Sequence, residues 1–196
     1  MPEWLTTGIS VFVVIFLLEL PDKTALATLL LATRHRPLMV FIGVALAFAV
    51  QSVVGVVAGS LLTLLPRDLV RVVAGLIFIG MAAVLVRRNL KAEEVEEAKE
   101  VEKEERKYRA PIVTSFMVIF VSEWADLSQL ATAALQARYK QPLIVFSAAT
   151  LALWTVSAIA IVIGNRLGAL LPEKPLQYAA AGLMVVVGTA LIIGRF

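Results

Sequence analysis

The sequence predicts an all-α integral membrane protein whose six transmembrane helices form two inverted three-helix repeats. The first observation is composition: the 196 residues are 60% hydrophobic and 17% charged, with a mean hydropathy of +0.88, whereas soluble domains are about 45–50% apolar and ~25% charged. The second is that the apolar residues form six long runs, each of a length typical of a membrane-spanning helix. The third is that an acidic motif in the first run recurs 104 residues later, in the fourth.

The first three runs predict the first repeat, residues 1–86. No Lys or Arg precedes the first run and no small-residue cleavage site follows it, so we expect a retained span and not a removed signal peptide. The second run contains Gly55-x-x-x-Gly59, a spacing typical of closely packed membrane helices, although two small residues also coincide by chance in an apolar run. The three helices are expected over about residues 5–33, 38–65 and 69–86.

Residues 87–110 form a charged linker between the two apolar halves. Eight acidic and eight basic residues lie between positions 87 and 109. Pairs such as Glu102 with Arg106 have the i,i+4 spacing that stabilises a solvent-exposed helix. We therefore expect a solvated helix or a partly disordered segment. A metal-sensing or partner-binding role is the alternative, but no ligand spacing supports it.

The last three runs predict the second repeat, residues 111–196. Each acid of the first motif has an acidic counterpart in the second, Glu19 with Glu123 and Asp22 with Asp126, which indicates an internal duplication. Three spans per half is an odd number, so the halves must lie in opposite orientations, as in secondary transporters with a site between inverted repeats. The helices are expected over about residues 112–137, 143–163 and 176–193.

The basic residues of the loops predict the orientation in the membrane. More Lys and Arg flank the helix ends on the side of the linker than on the side of the termini. The positive-inside rule therefore places the linker in the cytoplasm and both termini outside. We expect a multi-pass protein of a lipid bilayer, most simply a prokaryotic inner membrane. The net charge of +3 is explained by these flanking residues, so no nucleic-acid partner is expected; the oligomeric state stays open.

Five charged residues lie inside the apolar runs: Glu19, Asp22, Lys23, Glu123 and Asp126. A charge at the centre of a membrane helix costs roughly 2.5–3.5 kcal/mol, so these groups must be paired, protonated or bound to an ion. Residues three apart lie on one helix face, so each motif can direct two carboxylates at one ligand. If helices 1 and 4 meet, four carboxylates lie at one depth, stable either around a divalent cation or when protonated. Alternation between these states is the physical basis of cation/proton exchange.

Residues beside the acids complete the candidate site. Pro21 removes the helical hydrogen bond to the carbonyl of Leu17. The expected helix break gives a cation another oxygen ligand, or it is a simple packing kink. Lys23 lies one turn after Glu19 and supplies a counter-charge. Neutral supporting groups are expected from Thr24, Ser128 and Gln129, and more weakly from Gln51, Ser52, Thr155 and Ser157.

The chemistry of the donors limits the ion and the class of protein. Carboxylate, hydroxyl and carbonyl oxygens suit Mg²⁺, Ca²⁺ and Mn²⁺. The sequence has no cysteine, and its single histidine, His35, lies outside the apolar runs, which argues against Cu(I), Zn²⁺ or Cd²⁺. No Ser-His or Cys-His constellation is present in the runs, so we expect no enzyme and no prosthetic group.

The two motifs resemble those of a family of cation/proton exchangers in the lysine-exporter superfamily, with Golgi, thylakoid and bacterial manganese or calcium transporters. The family pattern is Glu-x-Gly-Asp-(Lys/Arg)-(Thr/Ser), present twice in inverted halves that are joined by a charged loop. The first copy is matched by Glu19, Asp22, Lys23 and Thr24, and the second by Glu123, Asp126 and Ser128, with Trp124 and Gln129 also similar. The chain departs at Pro21 and Ala125, which replace glycine, and at Leu127, which replaces a basic residue.

The resemblance implies a transporter that exports Mn²⁺ or Ca²⁺ from the cytoplasm in exchange for protons. The ligands and proton carriers would be Glu19, Asp22, Glu123 and Asp126. One alternative is a proton-coupled transporter of another metal or of an amino acid. A second is a non-transporting membrane protein in which the acids form structural ion pairs, although the spans offer one base for four acids.

Overall fold

The computed structural model describes residues 2–20, 23–64, 66–87, 98–105, 108, 110–124, 126–167 and 173–193. All regular structure within these ranges is helical. In chain order the helices are α1 (Glu3–Glu19), α2 (Lys23–Arg34), α3 (Pro37–Leu62), α4 (Arg67–Arg87), α5 (helical residues 98–105), α6 (Pro111–Ser122), α7 (Leu127–Tyr139), α8 (Pro142–Leu167) and α9 (Glu173–Ile193).

Four of the six predicted transmembrane helices are each found as one helix. Helices 2, 3, 5 and 6 correspond to α3, α4, α8 and α9, with ends that differ from the prediction by at most four residues. Proline occupies the first position of α3, α6 and α8, where its missing N–H costs no helical hydrogen bond. At the other end, α7 is closed by Lys140, which adopts a left-handed conformation with φ 56°.

The other two predicted helices are not continuous. Helix 4 was expected over about residues 112–137, but α6 ends at Ser122, α7 begins at Leu127, and the two segments are bent by 70°. Helix 1 is likewise divided between α1 and α2. The predicted break residue, Pro21, lies outside the described residues, and so does Asp22. Each division falls at an acidic motif, so Glu19, Glu123 and Asp126 lie at or beside helix ends and not inside helices.

Three helices are long and apolar enough to cross a membrane by themselves: Pro37–Leu62, Asp68–Arg87 and Pro142–Val162. The bent pair α6 and α7 makes a fourth span if its two segments are counted together. In α9 the apolar part, Ala181–Ile193, is shorter. Within the described residues this gives up to four spans, compared with six predicted. Large apolar side chains on α3, such as Leu46, Val53 and Val57, are exposed, as expected of a surface that faces lipid.

Packing between the two halves builds the core. Helix α1 packs on α8, α3 packs on α6 and α7, and α4 packs on α9. In the two repeats α1 corresponds to α6, and α3 corresponds to α8. The contact of α1 with α8 is therefore equivalent to the contact of α6 with α3. Buried residues of both halves, among them Ile15, Phe48 and Ile119, belong to one apolar cluster. The broken helices therefore lie between the halves.

Glycines allow α3 to approach the second half closely. A Cβ atom at Gly43 would lie 2.4 Å from the carbonyl oxygen of Ile112 in α6, and one at Gly59 would lie 2.3 Å from that of Ala133 in α7. Gly55 lies against Thr132 of α7 in the same way. The predicted close-packing role of the Gly55-x-x-x-Gly59 motif is confirmed, and its partner is the helix that follows the second acidic motif.

The charged linker docks on the helix bundle through α5. Glu105 forms an ion pair with Arg34 at the end of α2, and a second contact, 3.2 Å long, with Nε2 of His35. Val101 is fully buried in the main apolar cluster. The expected solvated helix is therefore amphipathic in this part, with one face packed on the bundle.

We expect Val101→Asp to release α5 and Glu105→Gln to leave it docked. Burial of a valine side chain contributes about 1.5–3 kcal/mol, whereas a partly exposed ion pair contributes about 0–1 kcal/mol. Limited trypsin digestion, with cleavage after Lys99 or Lys103 as the readout, compares the two variants. Equal protection of both from trypsin would contradict an apolar origin of the docking.

Candidate functional site

The acids of the two motifs lie at the ends of helix segments. Glu19 is the last residue of α1 and is 1% exposed, and Glu123 directly follows α6 and is 2% exposed. Asp126 directly precedes α7 and is half-buried. Asp22, the fourth predicted carboxylate, lies outside the described residues. Three of the four predicted ligands are therefore placed, and both glutamates are buried.

A side-chain hydrogen bond joins the two motifs. The hydroxyl of Thr24, in the first turn of α2, donates to Oε1 of Glu123. The two residues are 99 positions apart in the sequence, and both are buried. The structure thus brings the first motif into contact with the second, although Thr24 acts here as a donor to a carboxylate and not as a separate oxygen ligand.

The two acids of the second motif do not share a helix face. Between them the chain forms a turn, in which the backbone N–H of Asp126 donates to the carbonyl of Glu123 at 3.3 Å. Asp126 has an extended backbone, with φ −73° and ψ 173°. The expectation of one helix face was therefore wrong for this pair, because a three-residue spacing gives a common face only in a continuous helix. Within the described residues, no three His, Cys, Asp or Glu side chains form a group that could hold a metal ion.

Gln51 of α3 bridges the break between α6 and α7. Its amide nitrogen donates to the carbonyl of Phe120, in the last turn of α6, at 3.0 Å. Its amide oxygen accepts a hydrogen bond from the side chain of Gln129, in the first turn of α7. Gln51 is buried. A helix end in an apolar environment needs such partners for its carbonyl groups, and one side chain here bonds to both segments.

The supporting residues have distinct positions. Ser128 is buried in the first turn of α7, and its backbone carbonyl accepts a hydrogen bond from the hydroxyl of Thr132. Lys23 is the first residue of α2. Gln129 was expected to supply an oxygen ligand, whereas its amide nitrogen is used to bond Gln51. Gln51 was only a weak candidate, because a single amide in an apolar helix does not indicate which partner it bonds.

A family model matches the chain in two segments. The family model described as divalent cation/proton antiporter GDT1 matches residues 7–93 and 111–196. The chain belongs to the GDT1 family. Each matched segment contains one acidic motif, and the stretch between them lies in the charged linker. The resemblance stated from the motifs is confirmed, and the family is described as one of transporters and not of enzymes.

Relatives of this GDT1 protein come from plants and bacteria. It is 30% identical over 200 residues to protein PAM71, chloroplastic, of Arabidopsis thaliana, covering 90% of this chain and 54% of the relative. It is 30% identical over 181 residues to a Vibrio cholerae protein named "Putative manganese exporter", covering 89% and 84%. The chain thus spans about half the length of PAM71 and most of the length of the Vibrio protein. No solved structure matches the chain.

We expect Gln51→Leu to weaken cation binding at the site that is proposed below for this GDT1 protein. The substitution removes both hydrogen bonds across the break and so frees the turn that carries Glu123. Loss of a residue that orients a ligand typically lowers metal affinity about 10–100-fold. The measurement is the KM for the divalent cation in proteoliposomes, with the maximal rate recorded separately.

Gln136→Leu is the matched control, because Gln136 bonds Ser60 of α3 at the same helix interface but away from the break. We expect its KM to stay near that of the unmodified protein. A similar rise in KM for both variants would assign Gln51 a general role in packing α3 on α7.

Proposed function

We propose that this chain is a secondary transporter that moves Mn²⁺, Ca²⁺ or both out of the cytoplasm in exchange for protons. The observation that carries the proposal is the contact between the two motifs, in which Thr24 of the first bonds the buried Glu123 of the second. Glu19, equally buried, is the first acid of the first motif and the last residue of α1. Buried carboxylates at membrane depth are stable when they bind a cation or a proton. A site that alternates between these two states exchanges one for the other.

The proposed cation site consists of four carboxylates, from Glu19, Asp22, Glu123 and Asp126. The broken helices favour it, because the ends of half-helices offer backbone carbonyl and N–H groups beside the acids, as in other transporters. Thr24 and Ser128 are proposed as supporting hydroxyls, and Lys23 as a counter-charge that offsets repulsion in the empty site. Gln129 supports the site through Gln51, and Pro21 is proposed as the cause of the break between α1 and α2.

The proposed topology has six spans in two inverted repeats. If α1 with α2 and α6 with α7 are each one broken span, then α3, α4, α8 and α9 complete six. The equivalent contacts of α1 with α8 and of α3 with α6 support two structurally equivalent halves, residues 1–86 and 111–196. The linker, residues 87–110, is proposed to lie in the cytoplasm with both termini outside, in a prokaryotic inner membrane.

Manganese is the first ion to test. The donors proposed for the site are oxygens, which suit Mn²⁺ and Ca²⁺. The family is described as transporting divalent cations. The relative from Vibrio cholerae is named "Putative manganese exporter". The name of that relative supports Mn²⁺ ahead of Ca²⁺ as the transported ion.

The test is flux in liposomes that contain the purified protein and a pH-sensitive dye in the lumen. We expect an outward proton gradient to drive Mn²⁺ into the liposomes while the lumen becomes less acidic, and Ca²⁺ is measured in parallel to rank the ions. Metal flux without proton movement would be consistent with the proposed cation site but would contradict the proposed exchange for protons. Proton-coupled flux of another solute, with neither metal moved, would replace the proposed substrate.

A further inference from the structure

A cavity of about 280 Å³ lies between α1, α7 and α9, away from the acidic motifs. Its walls are mainly apolar, with Ile9 and Val13 from α1, Leu135 from α7 and Val187 from α9. Ile9 is 48% exposed and Val13 is 41% exposed, so the cavity opens onto the outer surface of the helix bundle. In the proposed membrane placement, on which this inference rests, that surface is in contact with lipid.

A cation from the last turn of α7 also lines the cavity. Arg138 is half-buried, and within the described part of the chain its side chain makes no hydrogen bond or ion pair. Tyr139, the last residue of α7, lies beside it in the cavity wall. The combination of apolar walls and a guanidinium group at a helix end is complementary to an amphipathic anion.

The equivalent arginine of the first half has its charge compensated within the protein. Arg34 occupies the same position of the repeat as Arg138 and forms an ion pair with Glu105 of the linker. In the proposed topology the linker and Arg138 are at opposite ends of the fold, and no acid of the described linker residues pairs with Arg138. The difference between the two arginines leaves Arg138 available to a partner from outside the chain.

We propose that this cavity binds an anionic phospholipid, with one acyl chain along the apolar walls and the phosphate on the guanidinium group of Arg138. Arginine matches the geometry of phosphate with two parallel hydrogen bonds. A basic residue between membrane helices pairs favourably with an anionic head group in either leaflet, and tyrosine is frequent at both membrane interfaces. Lys140, exposed and directly after α7, adds a second cation near the head group.

The experiment measures lipid binding to the purified protein in detergent, from the rise in melting temperature as phosphatidylglycerol is titrated. A ligand that binds only the folded state raises this temperature with its concentration. We expect Arg138→Gln to weaken phosphatidylglycerol binding about fivefold, as expected for the loss of one basic residue near an anionic head group. Arg36→Gln removes an exposed cation that does not line the cavity, and we expect it to leave binding unchanged.

Other probes distinguish the possible occupants. Equal stabilisation by phosphatidylcholine would mean ordinary boundary lipid, and equal stabilisation by inorganic phosphate would mean a simple anion site; either result overturns the proposal. A protein dimer that buries Arg138, detected by native mass spectrometry and unaffected by lipid, would also overturn it. If Arg138→Gln does not fold, Val187→Phe is measured instead, because it fills the cavity and keeps the charge of Arg138. Unchanged phosphatidylglycerol binding by Val187→Phe would exclude this cavity as the binding site. Binding in detergent requires no transport, so failure of the transport assay does not affect this test.

Discussion

Replacing Glu123 with glutamine is expected to reduce the proposed Mn²⁺ exchange by a factor on the order of 100 or more, since even residues that only orient a ligand change metal affinity about 10–100-fold. The amide keeps the size of the side chain and can still accept the hydrogen bond from Thr24. It has no negative charge for the cation, and it cannot take up and release a proton at physiological pH. The variant should therefore fold but neither bind nor exchange. Flux in liposomes, with the melting temperature measured on the same preparation, checks both parts.

Glu19→Gln should give the same result, because Glu19 is equally buried and ends the corresponding helix segment. Glu3→Gln is the control, since Glu3 is an exposed acid at the start of α1 and should leave the flux unchanged. Normal Mn²⁺ flux in both buried variants would show that the two glutamates are structural and would contradict the proposed site.

Gly59→Ala is expected to cause the largest loss of stability from a single methyl group. The new Cβ would lie 2.3 Å from the carbonyl oxygen of Ala133, a backbone atom that cannot turn aside, so α3 and α7 must move apart. Overpacking of this kind costs about 1–3 kcal/mol, and a backbone contact favours the upper end of that range. Thermal unfolding in detergent measures the effect.

The control is Gly80→Ala in α4, because no heavy atom lies within 4 Å of the position that its Cβ would take. Alanine in a helix interior is about 0.5–1 kcal/mol more favourable than glycine, so this variant should be slightly more stable than the unmodified protein. Equal effects of the two substitutions would show that helix propensity, and not the close contact with α7, determines the outcome at Gly59.

The unbroken helices were predictable because their ends are determined locally. Apolar runs of sufficient length end at polar segments, and Pro37 and Pro142 begin α3 and α8 at positions where a proline is well tolerated. The break after Ser122 could not be predicted in this way, since no glycine or proline lies between Ser122 and Leu127. What stabilises that break is Gln51, a residue about 70 positions earlier in the chain, and such a partner cannot be recognised from local sequence.

The identity of the acids was predictable, but their geometry was not. Duplication of the motif distinguishes Glu19 and Glu123 from other charges, because two copies at a fixed offset do not arise from local composition. The contact of Thr24 with Glu123 depends on how two broken helices meet, and this is determined by tertiary packing. The three-residue spacing of Glu123 and Asp126 predicted a shared helix face only because the helix was assumed to continue.

The packing of α1 on α8 and of α3 on α6 bears on how such a chain arose. Much of the surface that each half buries is covered by the other half, so a single-copy ancestor would have exposed those faces unless two copies paired. Under the proposed topology, that ancestor was a homodimer whose two copies were inserted in the bilayer in opposite directions. Gene fusion would have made the pairing permanent and freed the copies to diverge. Lys23 in one copy and Leu127 at the corresponding position of the other would be a record of that divergence.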